Sequence, residues 1–144
     1  MKEFKTIIHA VYECKYHIVW CPKYRFRILQ GDVGRYMRGV IKELCAWKQI
    51  EIISGNVQYD HIHMVISFPP KYSVAEVMGY VKGKSAIRIF ERCPDLKKRY
   101  WGRYFWAKGY CVSTVGLDEE AIKAYVKNQQ QIEQKMEQMT LWHK

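Results

Sequence analysis

Apolar and polar side chains alternate from Val11 to Trp20, with Tyr12, Cys14, Tyr16, Ile18 and Trp20 on one side and Glu13, Lys15 and His17 on the other. That period of two predicts a strand with one buried face, and Pro22 ends it. From about Asp32 the period changes, and Val33, Tyr36, Met37, Val40, Ile41, Leu44 and Trp47 recur at helical spacing. Two short runs, Glu51 to Gln58 and His61 to Phe68, flank Tyr59 and Asp60 and predict a hairpin. Pro69 and Pro70 stop the second run. Ser73-Val-Ala-Glu76 then has the form of a capping box opening a helix that reaches about Arg92. Residues 95 to 105 read as a basic and aromatic loop, and Trp106 to Thr114 as a fourth strand. After Gly116, Asp118-Glu119-Glu120 place negative charge at the positive end of a last helix. That helix extends through Gln138, with Ile122, Tyr125, Val126, Gln129, Ile132, Met136 and Met139 on one face.

The order βαββαβ predicts an α+β fold: a ferredoxin-like (RRM-like) antiparallel sheet with helices on one face, the other face open. The extra C-terminal helix needs a surface to cover. The 144 residues suit a single domain, with a sheet body over 1–115 and a hinge and helix over 116–144. A hydrophobic fraction of 49% with only 4 Pro supplies a core and excludes disorder as the main state.

Charge narrows the partner. The formal net charge of +10 favours a polyanion. No long apolar segment or basic amphipathic tail points to lipid, so nucleic acid is the expected partner and no membrane is. The five cysteines show no paired C-x-x-C spacing and no dense disulfide framework, and Glu13 and Lys15 interrupt the apolar stretch that follows the basic N-terminus, so no export signal is expected. A cytoplasmic protein is expected.

Two elements carry candidate chemistry. In the strand from His61 to Phe68, Ile62, Met64, Ile66 and Phe68 form an apolar face while His61, His63 and Ser67 share the other. The two histidine Cα atoms lie about 7 Å apart in such a strand, a span two imidazoles can close around one divalent ion. Asp60 can orient an imidazole. The alternative is a wet strand face with two unrelated histidines. On the last helix, Tyr125 and Gln129 are spaced i, i+4 and stack on one face; by themselves they read equally as a packing tyrosine and its solvated neighbour. Taken together, nitrogen and amide donors for a metal stand beside a phenol that can attack phosphorus once a cation or base makes its oxygen reactive.

At this point the chain resembles the single-tyrosine HUH transposases of the IS200-like (TnpA-type) class, including REP-associated relatives. Four ordered blocks carry the resemblance: His17-Ile-Val-Trp-Cys-Pro-Lys-Tyr-Arg25, Asp60-His-Ile-His63, Trp106-Ala-Lys-Gly-Tyr110 through Ser113, and Tyr125-Val-Lys-Asn-Gln129. Tyr59 departs from the family, where proline often precedes the aspartate. The resemblance implies one HUH domain over 1–144, with His61, His63 and Gln129 as metal ligands for Mg2+ or Mn2+ and Tyr125 as the nucleophile. The implied reaction is cleavage and rejoining of single-stranded DNA through a 5′-phosphotyrosine during insertion-sequence transposition. Implied partners are single-stranded DNA with subterminal hairpins and a second subunit, a homodimer whose tyrosine helices are exchanged, with Gly116 as the hinge. Two other readings stay open: a domesticated REP-associated tyrosine nuclease, and a non-catalytic single-stranded nucleic-acid-binding module.

Segment 82 to 108 carries nine basic residues against Glu91 and Asp95, interleaved with Tyr100, Trp101, Tyr104, Phe105 and Trp106. Such a mixture suits phosphate neutralisation with base stacking. Lys82, Lys84, Arg88, Lys97, Lys98, Arg99 and Arg103 are its expected DNA contacts, joined by Lys23, Arg25 and Arg27 on an extended stretch. Segment 118 to 144, with four basic and five acidic residues, is expected to be catalytic and interfacial instead.

Overall fold

The computed structural model describes residues 5–7, 10–12, 14–23, 28–99 and 104–142. For residues 5–7 and 10–12, for Arg99, for Gln130 and for 132–142, only the backbone is described. The first strand splits in two. Strand β1 (Lys5–Ile7) and β2 (Ala10–Tyr12) form a separate antiparallel pair, and β3 (Tyr16–Trp20) alone enters the main sheet. Helix α1 (Gly31–Trp47), the hairpin β4 (Glu51–Val57) and β5 (Ile62–Ser67), helix α2 (Val74–Arg92), short α3 (Pro94–Arg99), β6 (Cys111–Ser113) and α4 (Glu119–Trp142) follow.

The four-stranded sheet has the order β4-β5-β3-β6 and is antiparallel throughout. With the β1–β2 pair set aside, the second strand sits beside the third, then the first, then the fourth, which is the ferredoxin-like arrangement expected. Ile18 and Trp20 of β3 and Ile62, Met64 and Ile66 of β5 face α1 and α2, where Met37, Ile41, Val77, Met78, Val81 and Ile89 complete the main core. The capping box holds as expected: Ser73 Oγ accepts from the Glu76 amide at 3.0 Å, and the Ser73 amide donates to Glu76 Oε1 at 3.3 Å.

Two expectations for 95–114 need correction. Residues 94–99 form α3, a turn and a half that the density of charge conceals. The fourth strand keeps only Cys111–Ser113. Its first half is reduced to an isolated bridge at Trp106, with the chain bending at Gly109 before β6. The indole packs edge-on against Trp20 and donates its Nε1–H to Ser85 Oγ, a fully buried hydroxyl, at 2.9 Å. Pro22 forms an isolated bridge with Trp106, the Ala107 amide donates to the Cys21 carbonyl at 2.9 Å, and Gly109 adopts φ +82°. Only glycine takes that backbone without strain.

The second face is not open, because α4 lies on it. Val126 of α4 is buried against Val19 of β3 and Cys21 just beyond its end, with Cys111, Leu117, Ile122 and Tyr125 packed around them. Asp118 starts the helix as the sequence suggests, its carboxylate accepting from the Ala121 amide at 2.8 Å. Gly116, between β6 and α4, has open space where a Cβ would stand.

Candidate active site

Strand pairing places three imidazoles on the α4 side of the sheet. His63 is opposite Val19, and Val19 is opposite Cys111, so His17, two residues before Val19, lies diagonally across from His63. The His17 and His63 rings are 6.0 Å apart between centroids and tilted by 34°. His17 is a member of this constellation that sequence reading missed. Its face was legible from the alternation, but not its partner, since strand order decides which side chains become neighbours.

Asp60, 4% exposed at the hairpin turn, holds His61 as expected: Oδ1 lies 2.8 Å from Nδ1. That contact fixes the ring orientation and leaves Nε2 to face a ligand. The Nε2 of His63 is buried and, among the described residues, has no hydrogen-bond partner; the same is true of His17 Nδ1. Burial, and then the neighbouring His17 and His61, push the His63 imidazole below its ordinary value and favour its neutral, ligating form. An orphaned imidazole nitrogen beside an anchored one fits a divalent cation such as Mg2+ or Mn2+. Among the described residues no group of three or more His, Cys, Asp or Glu side chains is placed to hold a metal ion.

A cavity of about 690 Å3 adjoins the histidines, walled by Asn56, Gln58, Asp60, His61 and His63 on one side and by Ile122, Lys123, Val126 and Lys127 of α4 on the other. At about 100° per residue, Val126 points down at the sheet, Lys123 and Lys127 fall on one of its flanks, and Tyr125 and Gln129 on the other. The structure thus brings His61 to His63, and Tyr125 to Gln129, but seats the two pairs on opposite flanks of Val126.

The second pair rests on a built seat. Gln129 Nε2 donates to the Lys108 carbonyl at 2.8 Å and to the Tyr125 hydroxyl oxygen at 3.0 Å. A carbonyl can only accept, so the amide nitrogen must face Lys108 and the amide oxygen is turned elsewhere. On either side of that carbonyl, Lys82 Nζ donates to Ala107 at 2.8 Å and to Gly109 at 2.9 Å.

The expected DNA-binding residues divide. Lys82 is engaged as just described. Arg88 pairs with Glu43 at 3.0 Å and lies over the Trp47 ring, and Lys23 lies over the Tyr104 ring at 5.4 Å. Lys84, Lys97 and Lys98 are exposed. Arg25, Arg27 and Arg103 lie outside the described residues, as does the side chain of Arg99. A second cavity of about 640 Å3, in the angle between α2 and residues 104–108, is lined by Ile87, Phe90, Tyr104, Trp106, Lys97 and Lys108 among others. No helix of the described chain is long and apolar enough to cross a membrane.

Comparison with known proteins agrees with this architecture. Residues 10–129 match the family model described as "Transposase IS200 like". The transposase for insertion sequence element IS200 of Salmonella typhimurium is 40% identical over 141 residues, spanning 98% of this chain and 93% of the relative. The ISDra2 transposase TnpA of Deinococcus radiodurans is 34% identical over 120 residues, 83% of this chain and 86% of the relative. A crystal structure of a candidate transposase from Deinococcus radiodurans R1 superposes with a TM-score of 0.79 at 30% identity, covering 87% of this chain and 97% of that one. A REP-associated tyrosine transposase bound to a REP hairpin shares the fold, with a TM-score of 0.52 at 13% identity over 88% of this chain and 68% of that one. Sheet order, histidine strand and sequence match lead to one assignment: the chain belongs to the IS200-like transposase family.

Proposed function

We propose that this transposase cuts and rejoins single-stranded DNA through Tyr125, with His61 and His63 holding a divalent cation. The carrying observation is the Asp60-anchored histidine pair on the same sheet face that receives the tyrosine helix. Magnesium or manganese, when bound, would neutralise charge on the scissile phosphate and orient its oxygens. Tyr125 Oη forms a bond to phosphorus, the bond from phosphorus to the 3′-oxygen breaks, and the phenol proton leaves to base while the 3′-oxygen takes up a proton. The product is a 5′-phosphotyrosine and a free 3′-hydroxyl. Retaining the phosphoester lets a later hydroxyl reseal the strand without ATP.

Since Tyr125 and Gln129 lie across Val126 from the histidines, the reaction requires α4 to turn or slide, or the tyrosine helix of a second subunit to supply them. Gly116, between β6 and α4 and with open space where a Cβ would stand, is the place to absorb that movement. In the cleavage-competent arrangement Gln129 would help His61 and His63 hold the cation. The substrate reading follows from the +10 charge and the exposed lysines of α2 and α3.

A labelled single-stranded oligonucleotide carrying an element end, resolved on a denaturing gel with Mn2+, tests the reading. Wild type gives a covalent protein adduct, Tyr125→Phe binds the strand without forming one, and His63→Ala loses cleavage. An adduct that persists in Tyr125→Phe defeats the nucleophile assignment, and full activity in EDTA defeats the metal.

A further inference from the structure

Strand β4 runs beside β5, and its register decides what stands next to the histidines. Ile52 and Val57 both pack against the main core although they are five residues apart. In a regular strand an odd interval puts two side chains on opposite faces. The ladder slips between Ile52 and Ser54, where a bulge inserts one extra residue. Beyond the bulge Gly55 lies over Met64 on the core side, and Asn56 comes directly opposite His63 on the α4 side. Just past the end of β4, the Gln58 amide donates to the His61 carbonyl at 2.8 Å, which holds Gln58 across from His61. Directly opposed residues of an antiparallel pair share a face, with Cβ atoms about 4.5–5.5 Å apart. Two imidazoles and two carboxamides therefore form a rectangle on the sheet, and all four side chains line the cavity of about 690 Å3 under α4.

We infer that Asn56 and Gln58 are cation ligands of the resting arrangement: their amide oxygens join His61 and His63 in holding Mg2+ or Mn2+ while α4 keeps Gln129 on the far flank of Val126. Gln129 is committed there, its Nε2 bound to the Lys108 carbonyl and the Tyr125 hydroxyl. A carboxamide oxygen is a neutral, hard donor of the kind both ions accept beside imidazole. Lys123 and Lys127 on the opposite wall of the cavity carry only donors and cannot take its place. The bulge is what makes the set possible. In the register that Ile52 and Ile66 begin, Gly55, which has no side chain to offer, would stand opposite His63. The sheet thus keeps a cation of its own, and the tyrosine helix arrives at a site already loaded.

This assignment rests on the histidine site proposed above, so its test reads the metal and not cleavage. The 144-residue chain is titrated with Mn2+ in the absence of DNA, followed by calorimetry and by the electron paramagnetic resonance signal of the free ion. Asn56→Ala combined with Gln58→Ala is expected to weaken Mn2+ binding at least about tenfold, no less than the loss of an outer-shell partner costs. Asn56→Asp, which puts a charged oxygen in the same place, is expected to tighten it, since affinity for such ions rises with ligand charge. Gln129→Ala is expected to bind Mn2+ as tightly as wild type until DNA is added.

Unchanged Mn2+ affinity in the double alanine variant overturns the assignment; if that variant instead binds single strands more weakly, the two amides are DNA contacts. A Gln129→Ala protein that loses Mn2+ without DNA overturns it as well, because the amide of a tyrosine helix, from this subunit or a second one, is then the resting ligand. If wild type takes up no Mn2+, or His63→Ala takes it up equally well, the metal site of the proposed function falls and this assignment with it. If His63→Ala abolishes uptake and alanine at 56 and 58 changes nothing, only this assignment falls.

Discussion

Asp60 and His63 show how single side chains prepare the site. The Asp60 carboxylate, buried at the turn, has the His61 ring as its hydrogen-bonded neighbour. Asp60→Asn should weaken Mn2+ binding about 10- to 100-fold, as loss of outer-shell carboxylates does elsewhere, and a metal titration followed by calorimetry checks it. His63 carries the pH dependence. Its folded-state value lies below the ordinary 6.5, mainly through burial, so folding favours the neutral ring. Its contribution to stability is therefore complete above 6.5 and is lost as pH falls through the lower folded value. Melting of the metal-free chain should lose stability in that window, and His63→Gln should flatten the loss; an unaltered slope in the variant would refute the assignment.

Elements were legible where side-chain period was strong and obscured where tertiary contacts overrode it. The hairpin and both long core helices stand near their expected bounds because alternation, a capping box and prolines mark them locally. The stretch 106–114 is shorter as a strand than its alternation suggests, because Trp106 keeps only an isolated bridge with Pro22 and the chain bends at Gly109, while Ser85 and Trp20, remote in sequence, hold the indole. The Tyr125–Gln129 pair could be read from i, i+4 spacing, but Lys108 could not: its contribution is a backbone carbonyl, and no side-chain pattern announces one. His17 went unnoticed for the related reason that strand order sets its neighbour. Two substitutions test the elements themselves. Ser73→Ala should cost about 1 kcal/mol of stability by removing the α2 cap. Gly34→Ala in α1 places a Cβ 2.8 Å from the Leu29 carbonyl oxygen, backbone that cannot swing aside, and should cost about 1–3 kcal/mol by denaturant unfolding.

For the molecule as a whole, the two faces of the sheet divide the labour. The α4 side holds the histidines and the tyrosine pair, while exposed Lys84, Lys97 and Lys98 sit with the helix layer, near the cavity that Tyr104 borders with 63% of its surface exposed. If that side grips the strand, Lys97→Gln with Lys98→Gln should reduce the log–log salt slope of single-strand binding by roughly 0.7 per lysine while leaving Tyr125 reactive in saturating DNA. Filter binding from low to moderate salt reads it directly.

The seat of α4 has its own thermodynamic meaning. Of the helix's described side chains, Val126 alone is fully enclosed, and withdrawing one valine from such a nest costs about 1.5–3 kcal/mol. Half-buried Ile122 and Tyr125 and the hydrogen bond from Gln129 to the Lys108 carbonyl add to it, so a few contacts rather than a core hold the helix down. The sheet and its core can stay intact during such an excursion, so a strand of DNA that favours the displaced geometry by more than those few contacts are worth makes it the common one.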